Sequence, residues 1–230
     1  MISPLAHGLL TGVLAAAVLV LMPALVRKPA GLPGKLSLRL MNIRHSSVTD
    51  WGLGHVRIEP PFTILDVGCG GGRTVDKLAA MASEGSVSGI DISAQSVAVS
   101  RTTNAKWIEA GRVDIQQASV SKLPFSDARF DLATAVETHY YWPDLVADLR
   151  EVLRVLKPGG RLMLIAETYK GRSLDAIYQP AMKLLGATYL TPEEHRAVLS
   201  AAGFSEVTVD VERRKGWICC VGRKPASRAA

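Results

Sequence analysis

From residue 61 onward, short apolar runs alternate with stretches of helical spacing. Residues 61–69 (PFTILDVGC) are a nearly continuous apolar run ending in glycines, the pattern of a strand buried on both faces of a parallel sheet. Residues 73–82 follow with Val75, Leu78, Ala79 and Ala82 at the spacing of one helix face. Residues 86–92 repeat the strand pattern, and Ser93 offers an N-cap for a helix over 94–105. Residues 113–119 and 130–137 read as a third and a fourth strand, and 144–156 as an amphipathic helix. Lys157-Pro158-Gly159-Gly160 then stops that helix and turns the chain into a fifth strand at 161–167. Thr191-Pro192-Glu193-Glu194 supplies an N-cap, a proline at the first helical position and a capping-box acid. Residues 205–212 and 216–224 close the chain as a hairpin. The alternation predicts an α/β three-layer sandwich, with a mostly parallel sheet and one antiparallel strand.

The N-terminal pattern is different. Residues 8–26 hold no charged side chain. As a helix at about 1.5 Å per residue they would span about 28 Å, close to the thickness of a bilayer's hydrocarbon core. A cleaved signal peptide fits less well, because no basic n-region precedes the run and no small-residue cleavage site follows it. The expectation is a transmembrane helix within residues 1–26, then a basic linker over 27–44 and a single folded domain over 45–230. Arg27, Lys28, Lys35, Arg39 and Arg44 lie in that linker without an acid among them. The positive-inside rule then keeps the domain on the cytoplasmic face of a cell inner membrane, where the cations would also attract anionic headgroups. The alternative is a cytoplasmic protein whose apolar helix packs on its own body.

Charge narrows the partners. The chain has 27 Lys and Arg against 21 Asp and Glu, a net +6. Removing the five linker cations leaves 22 basic against 21 acidic side chains from His45 onward, so the body is nearly neutral. No nucleic-acid partner is expected of such a surface. Hydrophobic residues make up 48% of the chain, enough for a full core. Three cysteines are too few for a disulfide framework or a four-ligand zinc site, and no metal is expected.

The candidate chemistry sits where the first strand meets the first helix. Asp66, Gly68, Cys69, Gly70 and Gly72 form an acid followed by glycines at G-x-G-x-G spacing. A dinucleotide fingerprint would need a third glycine where Arg73 stands, and a P-loop would need Gly-Lys-Ser/Thr. An acid before the glycines suits a ligand with a cationic amino acid part, and bare backbone lets it lie close. Asp91, at the end of the second strand, can accept hydrogen bonds from both hydroxyls of a ribose.

These residues, with GIDIS (89–93), LPFSDARFD (123–131), EVLRVLKPGG (151–160) and TPEEHRAVLSAAGF (191–204), resemble the class I S-adenosylmethionine-dependent methyltransferases. The middle motifs look most like the small-molecule branch that includes ubiquinone and menaquinone C-methyltransferases. The resemblance covers about residues 60–224. It implies a seven-stranded Rossmann-like sheet in the order 3-2-1-4-5-7-6 with the last strand antiparallel. It also implies S-adenosyl-L-methionine as cofactor, with Asp66 and the glycines on its methionine side, Asp91 on its ribose and Ile92 against its adenine. Ser119, followed by Val120, stands where the family often has an aspartate contacting the adenine amino group; a hydroxyl there can still accept a hydrogen bond, without charge.

The methyl acceptor would then lie beside the end of the fourth strand, at Glu137-Thr138-His139-Tyr140-Tyr141-Trp142. Glu137 could contact cofactor or substrate, or cap the following helix. His139 could act as a general base or simply pack, and Tyr140, Tyr141 and Trp142 could wall a substrate or seal the loop. His45 and Trp51 are candidates for a lid, or for a plain helix packed on the sheet. Tyr178, Met182 and Tyr189 could line an apolar pocket or belong to the core. The reading that follows is methyl transfer to a small, apolar or lipid-like acceptor. Its alternatives are a soluble acceptor or a non-catalytic cofactor-binding module tethered to the membrane; a nicotinamide-dependent oxidoreductase is opposed by the glycine spacing.

Overall fold

The computed structural model describes residues 46–173 and 175–226. Its centre is a seven-stranded sheet built from β1 (Thr63–Val67), β2 (Ser86–Asp91), β3 (Val113–Gln117), β4 (Phe130–Val136), β5 (Leu156–Ala166), β6 (Ser205–Glu212) and β7 (Trp217–Arg223). The order across the sheet is β3-β2-β1-β4-β5-β7-β6, as the resemblance implies. The first five strands pair in parallel, and β7 runs antiparallel to both β5 and β6.

Pleating assigns successive residues to opposite layers. In β5, Met163 and Ile165 join Ile64, Val87, Leu132 and Cys219 under α1 (Ser46–Leu53), α2 (Arg73–Met81) and α3 (Ala94–Thr103). Leu162, Leu164 and Ala166 face the other way, with Leu65, Ile90 and Cys220. On that face lie Leu149, Val152 and Val155 of α5 (Leu145–Val155) and Leu199 of α7 (Pro192–Ala202). Two apolar cores on either side of one sheet make the expected three-layer sandwich. Cys69, Cys219 and Cys220 are buried and free.

The local signals mostly act as read. Ser93 caps α3 through Ser96 N–H at 3.2 Å, Asp144 caps α5 through Ala147 N–H at 3.1 Å, and Thr191 with Glu194 closes a full capping box on α7. Two boundaries differ. The helix expected over 94–105 breaks at Asn104 and restarts as the short α4 (Ala105–Glu109), because the Asn104 amide reaches across to the carbonyl of Gly72 at 2.9 Å. Strand β5 begins at Leu156, before the Lys-Pro-Gly-Gly run, which is absorbed as an irregularity between the pairs Phe130–Leu156 and Leu132–Arg161. Gly159 makes this possible at a φ of 79°.

Helix α1 packs on the sheet: Val48 and Leu53 are buried, and Gly52 lies so close to Ile165 that a side chain there would collide with it. Trp51 rests 5.9 Å from Trp217, whereas His45 lies outside the described residues. Between β5 and α7 the chain adds α6 (Asp175–Leu184), whose Met182 is buried in the core.

The placement in the cytoplasmic membrane is corrected here. Among the described residues no helix is long and apolar enough to cross a bilayer. The longest run 11 residues and bury one face against the sheet, against the roughly 20 apolar residues a span requires. The apolar helix at residues 8–26 and the linker over 27–44, on which that placement was based, lie outside the described residues.

Candidate cofactor and acceptor site

The chain leaves β1 in one direction toward β2 and β3 and in the other toward β4 and β5, so the crevice at the carboxyl end of β1 is the topological switch point. The glycine loop fills it. Gly68 and Cys69 both donate backbone N–H groups to the Ile90 carbonyl at 2.8 Å, drawing the loop down onto the end of β2. Gly68 and Gly72 hold φ of 77° and 82°. A side chain at Gly68 would strike Thr138, and one at Gly72 would strike Ser100 and Asn104. Glycine is required at both by conformation and by space.

Asp91 is fixed from two sides: Ser93 N–H donates to Oδ1 at 2.8 Å and Gly70 N–H to Oδ2 at 3.0 Å. The Ser96 side chain hydrogen-bonds it as well; a carboxylate has about four acceptor positions, so room remains to accept from a ligand hydroxyl. Burial pushes its pKa up against the pull of the two N–H groups and of Ser96. Beside it Ile92 leaves 45% of its surface exposed, an apolar platform at the same edge.

Asp66 lies deeper, at 2% exposure. Burial pushes its pKa up to about 7, the Thr134 hydroxyl donating at 2.7 Å opposes this, and the nearby Asp91 adds to it. An acid so poised gains most from a neighbouring cation. The pairing of Asp66 with Thr134 across β1 and β4 sets this contact. The Cys69 thiol points into the core, and burial followed by the charges of Asp66 and Asp91 holds its pKa well up. Ser119 is exposed after β3 and its hydroxyl accepts from Ser121 N–H at 3.2 Å, while Val120 packs into the core with Ile90. The structure thus binds Asp91 directly to the glycine loop and leaves Ser119 and Val120 one strand further out.

At the end of β4 the backbone turns sharply. Glu137 adopts a φ of 57°, which aims its side chain back along the sheet edge. Its carboxylate accepts from Glu167 N–H after β5 and from the Tyr140 hydroxyl, the latter at 2.6 Å. It therefore bridges two strand ends. A one-turn 3₁₀ helix, His139–Tyr141, follows. Tyr140 and Trp142 are buried in the core, with Tyr141 half-buried against it. Burial, then the Glu137 charge, raises the Tyr140 pKa well above its ordinary value.

His139 is buried, with Nε2 3.1 Å from Nε2 of His195. His195 Nδ1 lies 2.8 Å from the Thr191 carbonyl, which can only accept. That bond puts the His195 proton on Nδ1, so His195 Nε2 accepts and His139 Nε2 donates. The lone pair of His139 Nδ1 is left buried with no partner among the described residues. Burial lowers both pKa values, and the neighbouring imidazole adds to the effect at His139. A neutral pair follows.

Known proteins resemble the chain in sequence and in fold. The methyltransferase domain family matches residues 65–164. The 27-O-demethylrifamycin SV methyltransferase of Amycolatopsis mediterranei is 35% identical over 177 residues, 74% of this chain and 65% of that protein. The matched segment holds the glycine loop, Asp91 and Glu137, and together with this relative it supports a class I S-adenosylmethionine-dependent methyltransferase. S-adenosyl-L-methionine is the cofactor these likenesses support. The ubiquinone/menaquinone biosynthesis C-methyltransferase of Geotalea daltonii is 35% identical over 111 residues, 48% of this chain and 47% of that one. A SAM-dependent methyltransferase from Aquifex aeolicus shares the fold, with a TM-score of 0.67 at 20% identity, over 83% of this chain and 98% of that one. The chain spans about a third to two thirds of the length of the curated relatives it matches.

The cofactor suits the residues present: a glycine cradle that any side chain would fill, a deep acid, a second acid with acceptor capacity left over and an exposed aliphatic platform. Sequence reading missed Thr134, His195 and Glu167. A polar residue between Ala133 and Ala135 in a buried strand is a signal for the first. The others contribute through contacts that only the folded chain creates.

Proposed function

We propose that this methyltransferase transfers the methyl group of S-adenosyl-L-methionine to an oxygen or carbon of a small-molecule acceptor. The observation that carries the reading is the placement of Asp66, Asp91 and Glu137 at the carboxyl ends of three strands around one glycine loop. The donor, when bound, supplies an electrophilic methyl on a sulfonium. The protein's part is alignment of the acceptor atom with it. Asp66 and the backbone of Gly68, Cys69, Gly70 and Gly72 hold the amino acid end. Asp91 takes the ribose hydroxyls and Ile92 underlies the base, with Ser119 and Val120 at its outer rim.

Glu137 and Tyr140 face the acceptor as a coupled pair. Their 2.6 Å bond fixes the phenol, and the carboxylate can accept a proton or a hydrogen bond from an acceptor hydroxyl. His139, tied to His195, sets the shape of the turn that carries them. An O- or C-acceptor is supported by the names of the relatives, one an O-demethylrifamycin methyltransferase and the other a C-methyltransferase.

The test is calorimetric titration of the full chain with S-adenosylhomocysteine and, separately, NADH. Micromolar binding of the first and none of the second is expected. Asp91→Ala should weaken that binding by more than about tenfold, because it removes a charged acceptor from two hydroxyls. NADH binding alone would overturn the reading, and unchanged affinity in the variant would remove Asp91 from the ribose.

A further inference from the structure

The same edge of the sheet carries a second feature, two strands beyond the β4 turn. Strand β6 runs parallel to β5 because both are antiparallel to β7, so their carboxyl ends lie at the same edge of the sheet with β7 between them. Between the loop after β5, the start of α7 and the turn after β6 lies a groove of about 680 Å³. Lys170, Arg172, Arg213 and Arg214 line it, against the single acid Glu193. Lys170 shares its charge with Glu194 at 4.0 Å. Among the described residues, no carboxylate forms an ion pair with the guanidinium of Arg172, Arg213 or Arg214, and Glu212 accepts only from the Arg214 backbone N–H, at 3.1 Å.

Arg172 is held in place without losing its donors. Its guanidinium lies 5.7 Å from the centre of the Tyr169 ring and 6.0 Å from that of Tyr178. It also lies across Gly216 in the β6–β7 turn, where any side chain would collide with it. Gly216 has a φ of 78°, a second reason for glycine there. Aromatic faces and bare backbone thus position the cation, while none of its N–H groups donates to a protein acceptor among the described residues. A cluster of like charges costs self-repulsion that an oxyanion would offset, and planar guanidinium forks match oxyanions bidentately.

The groove is joined to the acceptor side by two short paths. Thr191, on its wall, accepts from His195, which meets His139 in the β4 turn. Glu137 accepts from the backbone of Glu167, two residues before the groove residue Tyr169. We propose that this groove binds an anionic group of the methyl acceptor, a phosphoryl or carboxylate oxyanion, through Arg172, Arg213 and Arg214. The acceptor is then an amphiphile whose charged end sits in the groove while its reacting atom lies beside β4. The proposal rests on the methyltransferase reading and narrows its substrate class.

The probe is inorganic pyrophosphate, titrated at low and constant ionic strength into the full chain already saturated with S-adenosylhomocysteine. Binding to the loaded protein is expected, weakened more than about tenfold in Arg213→Gln/Arg214→Gln, whose exposed side chains contribute little to the fold. Gly216→Ala, which displaces the Arg172 guanidinium, should weaken it as well. S-adenosylhomocysteine affinity should stay unchanged in the double variant. Absence of pyrophosphate binding, equal binding in the double variant, or competition between pyrophosphate and S-adenosylhomocysteine would each overturn the proposal. Failure of S-adenosylhomocysteine itself to bind is a separate result that sinks the methyltransferase reading, and the acceptor assignment with it.

Discussion

At the carboxyl ends of β1 and β2 the site is made mostly of backbone, and its parts come from one stretch between Asp66 and Ser93. Gly68 and Cys69 hang on the Ile90 carbonyl, and Gly70 binds Asp91. At the ends of β4 and β5 side chains reach across to separate segments: Glu137 accepts from the backbone of Glu167, and His139 meets His195. The first region tolerates almost no change, because a main-chain loop has no rotamers with which to adapt. The second can vary one partner at a time, at the cost of a buried polar atom left without its bond. In the proposed function these are a fixed donor site and an adjustable acceptor site, an arrangement through which one fold can serve many substrates.

The largest effect expected from this contrast is at Gly68. Gly68→Val adds a clash with Thr138 to a left-handed backbone, and should lower stability by about 3 kcal/mol or more. Urea unfolding would show it, and a loss under about 1 kcal/mol would mean that the loop adapts after all.

The histidine pair should respond more mildly. His139→Phe or His195→Phe alone leaves a buried nitrogen unpaired and should cost about 1–3 kcal/mol. The double variant should recover part of that loss, and strict additivity would show that the two rings are energetically independent. Both pKa values are lowered in the folded chain, so the unfolded state binds more protons below about pH 6.5. The wild type should therefore lose stability as pH falls through that region, and the double variant should lose less.

Asp66 should give the smallest but sharpest signal. Its pKa is raised from 3.8 to about 7 in the folded chain. The folded state therefore holds a proton between those values that the unfolded state has released. This contribution to stability is full below 3.8 and disappears as pH rises through about 7. A cationic ligand favours the ionised form, so S-adenosylhomocysteine should bind severalfold tighter at pH 8 than at pH 6, with release of a proton. Asp66→Asn should flatten both trends, and an unaltered pH dependence would place the cation elsewhere.

Most of the architecture was legible because its signals are local. The glycines after β1, Ser93, the Thr191 capping box and the apolar alternation each act within a few residues of themselves. Where the reading slipped, a distant contact prevailed: the Asn104 amide reached Gly72 and split a helix, and the Lys-Pro-Gly-Gly run joined a ladder with β4. Glu137 looked suited to contacting a ligand or capping a helix, and in the fold its carboxylate takes the backbone N–H of Glu167. The candidate apolar pocket divided in the same way. Met182 went to the core, Tyr178 to the side of Arg172, and Tyr189 to a hydrogen bond with Asp175 at 2.8 Å.

By itself the sequence determined the strand and helix order, the glycine loop and the two acids beside it, because apolar periodicity, turn chemistry and motif spacing are properties of neighbouring residues. Only the tertiary structure decided that His139 pairs with His195, that Thr134 sits on Asp66 and that three arginines meet in one groove. Those depend on which strand ends the sheet order brings side by side, and hydrogen bonds and charge act over a few ångströms of space however far apart the residues lie along the chain.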